Sequence, residues 1–287
     1  MNDIVVIGDI MIDIVAIIKE EIHRGSDTES TTTMQFGGAA ANVATWLGLE
    51  EQPCRLIGAI GNDLFGELFA KRFATISVEA SLFRSKHNTG SVIAISHPDN
   101  ERSMLAELGA NIDVSRAFDD SLITENSIVY VSGYVLFQPS NSKFVDNVIA
   151  RARHMNATLV LDPASSSPLE KNASPSLLTW LSNFDYILPN EQEYETLQQL
   201  GYKMANTVIE KRGPEGIIIH SDGKSVSIPA QPLDVVDTVG AGDACAAGFL
   251  GGLARGFTLE EAAKAGIEVA SKACRIRGAT PGVLEIK

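Results

Sequence analysis

Asp237-Thr238-Val239-Gly240-Ala241-Gly242-Asp243 runs directly into an apolar stretch, residues 244–253. Three small residues, Gly240, Ala241 and Gly242, permit a tight turn and let several backbone N–H groups approach one anion. The apolar stretch reads as a buried helix, whose first-turn N–H groups and positive dipole end converge on the same point. A nucleotide phosphate fits such a pocket. A carboxylate beside an anion site is electrostatically costly, so Asp243 needs a chemical task, and taking the proton of an attacking hydroxyl is one. The plainer reading of a single such string is a glycine turn followed by an aspartate that complements the helix dipole.

About two hundred residues upstream stands a second glycine turn, Phe36-Gly37-Gly38-Ala39-Ala40-Ala41-Asn42-Val43-Ala44. Gly37 and Gly38 allow close backbone approach at a strand-to-helix junction, and Asn42 offers a polyol both a donor and an acceptor. A flexible turn with a helix-capping asparagine is the alternative. Together the two strings resemble the signatures of the ribokinase (PfkB) family of carbohydrate and nucleoside kinases. In that family the downstream pattern ends in the catalytic base, here Asp243, and the upstream asparagine bonds the sugar hydroxyls. Ribokinases proper carry Lys and Gly after the glycine pair, whereas this chain has Ala39 and Ala40, so the resemblance does not carry ribose over as substrate.

Three further segments agree in order and spacing, and the resemblance covers nearly the whole chain. The opening strand, residues 4–7, leads into Gly8-Asp9-Ile10-Met11-Ile12-Asp13, and the family places a substrate-binding Asp where Asp13 stands. Asp9 competes for that role, because both lie just beyond a strand's C-terminal end, where ligands gather in open α/β sheets. Asn190 and Glu193 match the family's Asn-x-x-Glu, which helps hold Mg²⁺ and its waters. Mg²⁺ keeps several waters and needs few protein carboxylates; the same residues also describe an Asn cap before a helix with an acidic first turn. Lys211-Arg212-Gly213-Pro214-Glu215-Gly216 resembles the strand-end loop that meets the nucleotide phosphates, with Gly213, Gly216 and Lys211 as the matching positions, and Thr238 joins them from the downstream motif. A K⁺ site near Asp237, Val239 and residues 277–282 is a further implication of the resemblance, although the glycines and proline there also suit any terminal loop beside an adenine pocket.

These positions imply an ATP- and Mg²⁺-dependent kinase, a phosphotransferase acting on a hydroxyl of a small sugar or sugar acid, with a nucleoside as the alternative acceptor. A sugar-binding or regulatory protein without catalysis is the alternative of another class, and the intact Asp243, Asn190 and Glu193 argue against it. Because phosphoryl transfer is loose and the hydroxyl keeps its proton until late, an ordinary ionised Asp243 is expected to suffice.

Composition bounds the rest. The chain has 287 residues, 45% of them apolar, enough for a substantial core. A formal charge of −13 and a pI near 4.8 argue against nucleic-acid and anionic-membrane partners. Cys54, Cys245 and Cys274 have neither disulfide-framework nor zinc spacing. With no signal-like start and no apolar run of spanning length, a cytoplasmic protein is expected. Gly223-Lys224-Ser225 mimics the end of a P-loop but lacks the leading glycine that motif needs at position 218, and residues 221–224 read as a hairpin turn.

Strand-like runs at 4–7, 55–60, 127–132, 158–161, 186–188 and 216–219 alternate with helical patterns at 42–47, 64–74, 143–154, 191–200, 244–254 and 258–274. The alternation predicts one α/β domain, a doubly wound, mostly parallel sheet flanked by helices. Residues 13–36 and 83–108 break the pattern and read as short antiparallel strands. The resemblance makes these insertions a small β-sheet lid over the sugar, through which a homodimer often forms.

Overall fold

Short apolar runs bounded by turn residues become the strands of a nine-stranded sheet and a separate four-stranded sheet in the computed structural model, which describes residues 2–99, 101–202 and 207–282. In chain order the strands are β1 (Ile4–Ile7), β2 (Met11–Ile18), β3 (Ser30–Gly37), β4 (Cys54–Gly61), β5 (Val78–Ser85), β6 (Gly90–Ser96), β7 (Arg102–Glu107), β8 (Ile128–Ser132), β9 (Thr158–Asp162), β10 (Tyr186–Ile187), β11 (Thr207–Lys211), β12 (Ile217–Ser221) and β13 (Lys224–Ile228). The large sheet has the order β13-β12-β11-β10-β9-β8-β1-β4-β5. It is parallel from β5 to β11 and antiparallel only through β12 and β13.

The central strands are apolar at nearly every position because helices cover both faces. On one side Ile4, Val6, Tyr130 and Val160 pack against helices Ala39–Leu49, Leu64–Thr75, Ala241–Ala254 and Leu259–Ala273. On the other, Val5, Ile7, Val129 and Leu161 meet helices Ser142–His154, Pro175–Leu181 and Glu191–Gln199. The first pair of core layers depends on backbone proximity: a Cβ on Gly248 would come 2.4 Å from Ala265 O, so helices Ala241–Ala254 and Leu259–Ala273 meet along a seam of small residues. That seam fixes the height of the first turn that carries Asp243.

The small sheet has the order β3-β2-β6-β7. Its two hairpins are antiparallel, but β2 and β6 pair in parallel, which corrects the all-antiparallel expectation; the intervening β4–β5 unit returns the chain to the lid in the direction it left. Phe83, Arg84 and Ser85 do not belong to the lid, since β5 pairs with β4 through Gly61↔Ser85 at the edge of the large sheet. Residues 221–224 form the β12–β13 hairpin with Asp222 and Gly223 at positive φ, as the turn chemistry demands. Among the described residues no helix is long and apolar enough to cross a membrane.

Candidate active site

The sheet's connection order reverses between β1 and β8, so a crevice opens beyond the C-terminal ends of these strands. The residues at that edge are polar. Asp9 follows β1, Ser132 ends β8, Asp162 ends β9, Asn190 follows β10 and Lys211 ends β11.

Asp9 is committed to the framework. Its Oδ2 accepts the Ala39 N–H at 2.8 Å and its Oδ1 accepts the Ser132 hydroxyl at 2.7 Å. Burial nevertheless holds its carboxyl above the usual range. Asp13 differs: it lies on lid strand β2 over the glycine pair, so close that a Cβ on Gly37 would fall 2.3 Å from its Oδ2. Among the described residues no donor bonds the Asp13 carboxylate. Its pKa is pushed up to about 6, first by burial and then by repulsion from Asp9.

Two helices point their first turns at one another across the crevice. Helix Ala39–Leu49 begins after Gly38, at φ +91°, where an added Cβ would strike Asp9 O at 2.6 Å. Helix Ala241–Ala254 begins after Gly240, at φ +74°, packed on Ala279. Asn42, 6% exposed, sits on the first helix and Asp243, half-buried, on the second; Asn42 Nδ2 donates to Asp243 Oδ2 at 2.8 Å. Protein packed around the Asp243 carboxyl replaces much of its water and pushes its pKa up to about 8; the Asn42 hydrogen bond and Lys211 oppose the rise, and Asp162 and Asp9 add to it. This corrects the expectation of an ordinary ionised aspartate: five buried or half-buried acids converge on one crevice, a feature invisible in a linear motif.

The turn itself is open to an anion. Ala241 N–H donates to Thr238 O, while the N–H groups of Gly242 and Asp243 bond to no acceptor among the described residues. Beside them lies the Lys211 ammonium, 3.6 Å from where a Gly242 Cβ would stand. Lys211 is anchored to Asp162 Oδ2 at 2.5 Å. Burial works against its charge, but Asp162 and Glu193 outweigh burial and raise its pKa. Asp162 was not singled out from sequence; the signal was a carboxylate ending an apolar strand, the position Asp9 occupies after β1.

Glu193 is 3% exposed and closes a capping box: Asn190 N and Nδ2 donate to its two carboxylate oxygens, each at 2.8 Å, while Glu193 N donates back to Asn190 Oδ1. Burial, then Asp162, raises its pKa. Asp237 accepts the N–H groups of Val239 at 3.1 Å and Gly278 at 3.0 Å, tying the motif to residues 277–282, a loop also held by the Trp46 indole N–H on Ala279 O. Thr238 is exposed on the rim. Gly213 stands in open space, whereas Gly216 does not serve an anion: its N–H donates to Gly213 O, and a Cβ there would meet Ile228 O at 2.1 Å. The physical reason is the tight loop, which uses Gly216 for its positive φ of 97°.

Comparison with known proteins agrees with this geometry. The pfkB family carbohydrate kinase profile matches residues 1–286. The ribokinase of Bacillus subtilis (strain 168) is 26% identical over 99% of this chain and 96% of its own length. The 5-dehydro-2-deoxygluconokinase of Clostridium beijerinckii is 25% identical over 95% of this chain and 88% of its own. In fold, the crystal structure of adenosine kinase from Sinorhizobium meliloti superposes with a TM-score of 0.85 at 24% identity, covering 98% of this chain and 96% of that one. The chain belongs to the pfkB family of carbohydrate kinases, ATP-dependent phosphotransferases that work with a divalent metal.

Proposed function

We propose that the protein transfers the γ-phosphoryl group of ATP to a hydroxyl of a small sugar, with Asp243 as the base. The observation that carries this reading is the 2.8 Å hydrogen bond from Asn42 to Asp243, which sets an acceptor-binding amide and a basic carboxylate side by side beneath unbonded N–H groups. In the step, the acceptor O–H gives its proton to Asp243, its oxygen bonds to the γ-phosphorus, and the bond to the β-phosphate oxygen breaks, releasing ADP. Asp13 holds neighbouring hydroxyls of the acceptor. The Gly242 and Asp243 N–H groups and Lys211 meet charge on the transferred group.

Among the described residues no group of three metal-binding side chains occurs. That fits a cation carried in on nucleotide phosphates, with Glu193 and Asn190 reached through water. Mg²⁺ bound there would neutralise phosphate charge. A K⁺ ion would be held by carbonyls near Asp237 and Val239, where the Asp237 carboxylate is already fixed; replacing K⁺ by a large organic cation lowers turnover if it binds. Free Cys54, Cys245 and Cys274 support work in the reducing cytoplasm. Exposed Ile17, Ile93, Met104 and Leu105 on the lid support pairing with a second copy.

Adenosine kinase among the similar proteins, and the half-buried Tyr134 ring near Asp9 and Asp243, favour a nucleoside as the second reading. ATP consumption across pentoses, hexoses and nucleosides, with Asp243→Ala as control, tests both. Asp243-dependent turnover of a free sugar supports the first reading and of a nucleoside alone the second; silence despite ATP binding removes the kinase function.

A further inference from the structure

The two ends of the crevice have opposite electrostatics. At the nucleotide end stand the Lys211 ammonium and the unbonded N–H groups of Gly242 and Asp243, an arrangement that favours anions. At the acceptor end stand Asp9, Asp13 and Asp243, three carboxyl groups close enough that Asp9 acts on both of the others.

Among the described residues no cation acts on Asp13, and Asp243 is only partly offset. The charged side chain acting on Asp13 is Asp9, and the cation that opposes the Asp243 shift is Lys211, which Asp162 holds on the nucleotide side at 2.5 Å. The arginine on the lid strands is remote by register. Asp13 aligns with Val92 of β6 and through it with Ala106 of β7, whereas Arg102 aligns with Ser96 at the far end of the lid. Four residues of strand separate the two levels, roughly 13 Å. Arg72 is fixed elsewhere, over the Phe36 ring and on Thr280 Oγ1 and Pro281 O.

An unbonded, largely enclosed carboxylate at Asp13 requires donors, and hydroxyl groups supply them without adding charge. A carboxylate or phosphate on the acceptor supplies none and brings a like charge into the same space. At roughly 6 Å and an effective dielectric near 20, one such repulsion lowers binding by about a hundredfold. Resting on the kinase reading above, we propose that the acceptor is an uncharged polyol, and that this end of the crevice refuses carboxylated and phosphorylated sugars.

The test uses sets that share one carbon skeleton: ribose, ribonate and ribose 5-phosphate; glucose, gluconate and glucose 6-phosphate; fructose and fructose 6-phosphate. Binding to the intact protein is measured by calorimetry in the presence of a nonhydrolysable ATP analogue, and turnover is measured separately with ATP. The neutral member of the best-bound set is expected to bind at least about tenfold more tightly than its anionic partners. Asp13→Asn is expected to narrow that gap by weakening the neutral sugar and strengthening the anionic one. Equal or tighter binding of an anionic member overturns the proposal, as does absence of binding by every neutral member. The readouts separate the two readings: a neutral polyol that binds but is never phosphorylated removes the kinase function and keeps the charge assignment, whereas rapid phosphorylation of an anionic sugar does the reverse.

Discussion

Helices Ala39–Leu49 and Ala241–Ala254 start alike and end up with different tasks. Each follows a glycine at positive φ, each is rich in alanine, and each carries one polar side chain on its first turn toward the crevice. The first helix start is closed by the protein itself: Asp9 takes the Ala39 N–H on its carboxylate and the Ala41 N–H on its backbone oxygen. The second is left open at Gly242 and Asp243, with only a lysine nearby. A helix N-terminus attracts anions in either case; which one receives a ligand depends on whether a resident carboxylate already occupies it.

Removing the carboxylate of the open start gives the largest expected effect. Asp243→Asn keeps size and the Asn42 contact but cannot take a proton, so kcat should fall roughly 10² to 10⁴-fold with ATP affinity almost unchanged. Steady-state kinetics against an acceptor that is turned over, together with direct ATP titration, measures both. Retained kcat removes Asp243 as the base; a parallel loss of ATP binding makes it part of the phosphate site instead.

The glycines sharpen the contrast next. Gly38→Ala forces a side chain into left-handed backbone against Asp9 O at 2.6 Å, and stability should drop by roughly 1–3 kcal/mol. Gly242 lies within the helix at ordinary φ, and the one atom near an added Cβ is Lys211 Nζ at 3.6 Å. Gly242→Ala should therefore hold or raise stability, by up to about 1 kcal/mol, while the new methyl group obstructs the anion and raises KM for ATP several-fold. Chemical denaturation of both variants decides the matter. Equal destabilisation by the two would mean that the second start is as closed as the first.

Asn42→Ala removes the bond that joins the two starts. That bond favours the ionised carboxylate, so its loss raises the Asp243 pKa further and moves the acid limb of kcat/KM to higher pH than in the parent, where burial already places the group near 8. Acceptor KM should rise roughly tenfold as well. A pH profile that does not move, despite a raised KM, would confine Asn42 to the substrate.

What could be read from the chain follows the range of each interaction. Gly37-Gly38 and residues 240–243 were legible because a turn and the helix it opens lie within a few positions. Helices Ser166–Lys171 and Pro175–Leu181 were not, being too short for a periodic pattern. The end of strand β5, residues 83–85, read as lid because the alternating Val78-Glu79-Ala80-Ser81 start does not look like a buried central strand, and in β11 the buried Glu210 interrupts the apolar run. Glu210 is tolerated there only because Arg212 and His220 bond its two oxygens, partners that folding supplies. The same limit hid the site's electrostatics. Asp162 and Lys211 are 49 positions apart and Asn42 and Asp243 201 apart, and the pKa of Asp243, raised by burial and Asp162 against the opposing pull of Asn42 and Lys211, depends on where folding puts all of them.

A last expected effect is on the pH dependence of stability, and it follows from leaving acids buried for function. In the ligand-free protein Asp13 is raised from 3.8 to about 6 and Asp243 from 3.8 to about 8. A carboxyl whose folded pKa exceeds its unfolded value binds its proton more tightly in the native state, so its contribution is fully present below the unfolded pKa and is lost as pH rises through the folded one. Between about pH 4 and pH 8, then, these two groups make the native state less stable with every step upward. The melting temperature of the ligand-free protein should decline from pH 6 to pH 8, against the common tendency of acid to destabilise. Asp243→Asn should flatten the upper part of that decline, toward pH 8, and Asp13→Asn the part around pH 6. Asp9→Asn is no equivalent control, because it would also remove the acceptor that closes the first helix. Calorimetric scans of the parent and the two variants across this range measure the slopes, and a parent Tm that climbs with pH while both variants follow it would show that the open crevice hydrates its acids as freely as bulk water does.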